Sequence, residues 1–216
     1  MGSRTPRKTN DDRRARIEAM RKAEASRERR NRVITIAISG VVVAGLVGFG
    51  GYVLNKENEE KKAEEKLLAQ PISGEKSFKK LSQTHVETPV TYPQTPPVGG
   101  DHNKVWLNCD RQVYKEPVPN ENAVHSLEHG AVWITYNDKA PKADVEKLEK
   151  RVKDTSYTFI SPVKDQKDPL MMTAWGKQVS VDSAGDKRVD QFLGKYVNGP
   201  QTPEPGAACT NGVSAK

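Results

Sequence analysis

The chain has 216 residues, with 35 Lys+Arg against 28 Asp+Glu and a formal net charge of +7. Residues 1–32 hold 12 basic and 5 acidic side chains, and the rest is balanced at 23 of each. A folded domain without surplus positive charge excludes nucleic acid as the expected partner. Two cysteines are too few for a disulfide-dense mini-protein, and one long apolar run is too few for a polytopic transporter.

Residues 1–32 read as a basic cytoplasmic arm, helix-prone from Asp11 and suited to an anionic lipid surface. Val33–Leu54 is 22 residues without a charge. As a helix it extends about 33 Å, enough for a hydrocarbon core of roughly 30 Å. It is longer than a secretory h-region and follows a long n-region, so it is expected to remain as an uncleaved transmembrane anchor. Arg27, Arg29, Arg30 and Arg32 crowd its leading edge, while the trailing flank is mixed in charge. The basic bias predicts a single pass through the cell membrane, with a cytoplasmic N-terminus and an extracytoplasmic C-terminal domain. Gly40, Ala44 and Gly48 recur every fourth residue and would let a membrane-protein partner or a second copy approach closely.

Residues 55–70 are charged and helix-prone, a stalk ended by Pro71 and Gly74. Residues 71–97 contain Pro89, Pro93, Pro96 and Pro97 and read as an extended Pro-rich linker, or as a wrap around the edge of a domain. Residues 98–216 are expected to form the domain and its C-terminal tail, and all three tryptophans lie there. Asn120 or Asn122 can N-cap a short helix, with Gly130 as its left-handed terminator. Ala131–Tyr136 is β-branched and aromatic, hence a strand. Pro141 opens a helix in which Val145, Leu148 and Val152 recur at helical spacing. Tyr157–Ser161 and Leu170–Val181 read as two further strands, and Asp186–Val197 as a closing helix. The order predicts an α+β domain, a small mixed or antiparallel sheet with helices on one face.

Cys109 and Cys209 both follow the apolar run, in the compartment where disulfides persist, and only one intramolecular pairing exists. It would tie the Pro/Gly-rich tail to the loop after Trp106. The four histidines are His85, His102, His125 and His129. In HSLEH, a helix places His125 and His129 one turn apart, with Glu128 on the same face. Two imidazoles at that spacing can ligate one ion, with the carboxylate as third ligand or as partner to a ligating ring. His102 is the candidate third imidazole and Met172 a candidate soft donor; its neighbour Met171 points to the other face of the strand. Histidine with methionine favours copper over zinc. The role of His85 is left open by sequence.

A structural reading stands beside the metal. His129 in the last helical turn complements the helix dipole and can hydrogen-bond loop carbonyls, His125 can bond Glu128 or a backbone group in a buried polar network, and Met172 can be core. HSLEH also matches an inverted zinc-peptidase pattern, but the helix is short and no later acidic helix supplies a further ligand. No GxxxxGK[ST] or GxGxxG occurs, so no nucleotide cofactor is expected and no residue is assigned as catalytic.

The blocks HVETPVTYPQTPPVGGDHNKVWLNC, EPVPNENAVHSLEHGAVWITY and MMTAWG resemble a family of actinobacterial membrane-anchored proteins that carries only a domain-of-unknown-function label. The likeness spans His85–Cys209. It implies a basic cytoplasmic N-terminus, one membrane helix and an extracytoplasmic domain, and it brings no activity. Trp106, Cys109, Glu121, Asn122, His125, Glu128, His129 and Gly130 are the positions it carries over. The expected function is a metal-binding, preferably copper-binding, module. The alternative is an accessory interaction subunit of a cell-envelope or respiratory membrane complex with structural histidines, and a His/Glu hydrolase stands behind both.

Overall fold

The computed structural model describes residues 7–215, except for the side chains of residues 7–11 and of Val41, Ala44, Glu60 and Glu64. The chain divides into two units between Glu64 and Glu65. The described residues of the first belong to helix α1, Arg7–Ala69, 63 residues long. This helix is long and apolar enough to cross a membrane. Val33, Ile36, Leu46, Val47 and Phe49 are all exposed along it, and among the described residues none of its most apolar window is buried.

The second unit is built on a six-stranded mixed sheet of order β1-β6-β5-β3-β4-β2. Its strands are β1 (Lys76–Ser77), β2 (Gln112–Val113), β3 (Val132–Tyr136), β4 (Thr158–Pro162), β5 (Leu170–Ala174) and β6 (Lys177–Val181). Its helices are α2 (Asn120–Glu128), α3 (Lys142–Asp154) and α4 (Lys187–Tyr196). β3 and β4 are parallel, with α3 as the crossover, and β2 runs parallel to β4. β5 is antiparallel to β3, β6 to β5, and β1 to β6.

Both parities of β3 and β4 are apolar: Val132, Trp133, Ile134, Phe159 and Ile160 are all fully buried. Such a sheet must be covered on both faces. Val132, Ile134, Ile160, Leu170 and Met172 meet Leu148 and Val152 of α3 and Val189, Phe192 and Leu193 of α4. Trp133 and Phe159 face the other way, toward Ala123, Val124 and Leu127 of α2 and the irregular segments around Leu107, Cys109 and Cys209. The sequence places the helices on one face. The structure puts α3 and α4 there and α2 on the opposite one, because the second apolar parity needs its own layer.

Leu170–Val181, one strand in the sequence reading, is a hairpin. Its turn is Trp175–Gly176, with Gly176 at φ +66°, a conformation that favours glycine. The N-cap of α2 is Pro119, without a side-chain cap, and not an asparagine. Asn122 instead donates from Nδ2 to the Val105 carbonyl. The stretch 71–97 wraps the domain: Ile72 joins the core, Lys76–Ser77 pair with β6, and His85 bridges to His102.

Candidate metal centre

Helix α2 carries the centre of the site. The Gly130 N–H donates to the Leu127 carbonyl and the Ala131 N–H to that of Ser126, which closes the helix in a Schellman motif. Gly130 sits at φ +103°, and a Cβ there would overlap the Asn198 side chain. The turn therefore requires glycine. It fixes His125, Glu128 and His129 in the last turn while α2 packs its other side on Trp133 and Phe159.

Three segments bring the remaining groups. The His102 N–H donates to the Thr84 carbonyl and the Val86 N–H to that of His102, so His85 and His102 lie side by side. The tail is tied down by the Cys109–Cys209 disulfide, which spans 100 residues of sequence. Tyr157 Oη also donates to the Ala207 carbonyl.

Each of three histidines has Nδ1 against a backbone carbonyl: His102 on Gly100 at 2.7 Å, His125 on Asn103 at 2.7 Å and His129 on Ala208 at 2.6 Å. A carbonyl only accepts, so the proton of each neutral ring sits on Nδ1 and the lone pair on Nε2. Those Nε2 atoms turn inward. His102 Nε2 lies 2.8 Å from Glu128 Oε2, and His125 Nε2 lies 2.8 Å from His129 Nε2. His85 Nε2 is 3.7 Å from the same Glu128 oxygen. His102, His125, Glu128 and His129 are buried, whereas the His85 side chain is 46% exposed. The Trp106 ring stands 5.3 Å from that of His129, and the Trp175 ring 5.8 Å from that of His102.

Electrostatics separates the rings. Burial lowers His125 to about 4, and its histidine neighbours add to the effect. Burial also acts against a charged His102, but its bonds to Glu128 and the Gly100 carbonyl outweigh that and raise it. Burial pushes Glu128 up, yet the bond to His102 leaves it below the usual carboxylate range. Without metal, His102 and Glu128 thus form a buried ion pair beside a neutral His125. With the Nδ1–H of both rings given to carbonyls, the Nε2 atoms of His125 and His129 face each other at 2.8 Å, an arrangement that a metal ion shared by the two would suit.

One donor atom each from His85, His102, His125 and Glu128 comes within 4.8 Å of the others. Of the sequence candidates, His102, His125 and Glu128 meet. His129 joins through His125. Met172 does not belong: it is fully buried on the α3/α4 face of the sheet, paired with Ile134, while α2 covers the other face. Strand alternation separates the two methionines but does not say which face meets α2. Sequence spacing also misses His85 as a donor, because only the backbone bridge to His102 brings it in. Glu121 accepts the Val90 N–H at 2.9 Å, a structural task that holds the wrapped segment.

Fold and site together define an α+β domain that gathers imidazoles around a buried carboxylate, in a chain with one helix of membrane-crossing length among the described residues. The chain belongs to the DUF3105 family, proteins of unknown function, whose family model matches residues 85–211. That stretch begins at His85 and includes every donor described above. No curated protein and no solved structure matches the chain.

Proposed function

We propose that the protein is a membrane-anchored metal-binding module, holding a divalent transition-metal ion at His85, His102, His125 and Glu128. The observation that carries this reading is the carbonyl lock on Nδ1. Ligating histidines characteristically donate their second ring N–H to a carbonyl or carboxylate, which fixes the tautomer and aims the other nitrogen. Here His102 and His125 of the donor group are locked in that way, and so is neighbouring His129. An ion held at about 2.1 Å from each donor needs donors within about 4.2 Å of one another, so the cluster contracts by about half an ångström on binding.

With Met172 elsewhere, the donors are imidazole and carboxylate. Such a set takes copper(II) most tightly among the divalent ions, with zinc behind it. The basic arm ahead of the apolar stretch supports a cytoplasmic N-terminus, and the disulfide supports an extracytoplasmic domain.

A structural role for the same histidines, in an accessory subunit of a membrane complex, is favoured by one feature. The His102–Glu128 pair satisfies itself at 2.8 Å without any ion. Equilibrium dialysis of the detergent-solubilised full chain against copper(II) and zinc(II), each buffered by a chelator, separates the readings. The expected result is one tightly held ion, with affinity at least about tenfold lower in His102→Ala. Equal, weak uptake by both proteins overturns the metal reading and leaves the structural one.

A further inference from the structure

Beyond the four-donor group the row of acceptors continues. His129 Nε2 lies 2.8 Å from His125 Nε2 and 3.8 Å from Glu204 Oε2. The Glu204 carboxylate is held there by its backbone, whose N–H donates at 3.0 Å to the carbonyl of Glu128 at the end of α2. With His129 Nδ1–H committed to Ala208, three acceptor atoms face one another: two imidazole nitrogens and one carboxylate oxygen. His129 is buried, but Glu204 is 58% exposed, so this end of the row opens to solvent.

We infer that His129 and Glu204 form an outer cation position that shares His125 with the inner group and receives the metal ion before it. This rests on the metal-binding reading. A lone pair serves one ion at a time, so His125 can belong to the outer position or to the inner one, not to both. An ion captured by Glu204 and His129 bonds His125 first. It moves inward as His102, Glu128 and His85 replace the outer donors. The exposed carboxylate supplies attraction for a cation, and the buried one supplies retention.

The test uses the full chain in detergent and copper(II) supplied as its glycine complex. Loading is followed in a stopped-flow instrument by quenching of tryptophan fluorescence, since Trp106 lies 5.3 Å from His129. Wild type is expected to load in two phases. Glu204→Gln should lose the fast phase and load at least about tenfold more slowly, the range in which local charge controls association. Its final stoichiometry and affinity should stay within about twofold of wild type, since Glu204 lies outside the retaining group. Loading of Glu204→Gln at the wild-type rate overturns the inference, as does a loss of final capacity, which would make Glu204 an inner ligand. If wild type takes up no copper at all, the metal reading itself fails, a result distinct from either.

Discussion

The carbonyl of Ala208 accepts the Nδ1–H of His129 at 2.6 Å, across 79 residues of sequence. The next residue, Cys209, is bonded to Cys109. The covalent tie therefore ends one residue from the group that orients a histidine of the site. The double variant Cys109→Ser, Cys209→Ser should lose about 2–5 kcal/mol of stability. It should also load copper(II) at least about tenfold more slowly, since release of the tail frees His129 and Glu204 of the outer position. Chemical denaturation and stopped-flow loading measure the two separately.

Stability of the metal-free protein should fall on acidification. Burial holds folded His125 at about 4, against 6.5 for an unperturbed ring. Between those values the unfolded chain binds a proton that the folded chain refuses, so stability drops as pH falls from about 6.5 to about 4. The loss is at most about 3 kcal/mol, at about 1.4 kcal/mol per unit. Glu128 adds to it in more acid solution, because a lowered carboxyl gives up its stabilisation as it protonates. His102, which is raised, acts at the other end: its contribution is complete below its unfolded pKa and fades as pH rises through the folded one. Urea denaturation in the presence of chelator checks the trend. A stability that stays level from pH 6.5 to 4 contradicts a neutral, buried His125.

Gly130→Ala should destabilise the domain without touching a donor atom. The residue sits at φ +103°, and a Cβ would also lie 3.1 Å from Asn198 Cα. The backbone strain alone costs about 1–3 kcal/mol. A fall of roughly 5 °C in melting temperature by circular dichroism is the expected outcome.

Met172→Leu should leave copper affinity unchanged and cost less than about 1.5 kcal/mol, as a volume-conserving core swap. Loss of binding in this variant would place the thioether in the site, against its position on the far face of the sheet.

Local periodicity makes much of the domain legible in sequence. The 3.6-residue recurrence of Val145, Leu148 and Val152 marks α3, and the β-branched, aromatic run marks β3. HSLEHG shows both the paired histidines and the glycine that ends their helix. What stays hidden depends on distant pairings. β1 and β2 are two residues long and exist only because a sheet edge accepts them. His85 becomes a donor through a bridge to His102, and Glu204 through a backbone bond to Glu128. Met172 lies in a strand whose alternation is readable but whose facing layer is not.

The most direct measurement is the metal content, by mass spectrometry, of the freshly purified full chain and of Glu128→Gln, a near-isosteric change that removes one buried charge. The expected result is about one transition-metal ion per wild-type chain and a content at least about tenfold lower in the variant. Equal contents in the two proteins, or none in wild type even after incubation with copper(II), would contradict a metal centre built on Glu128 and its histidines.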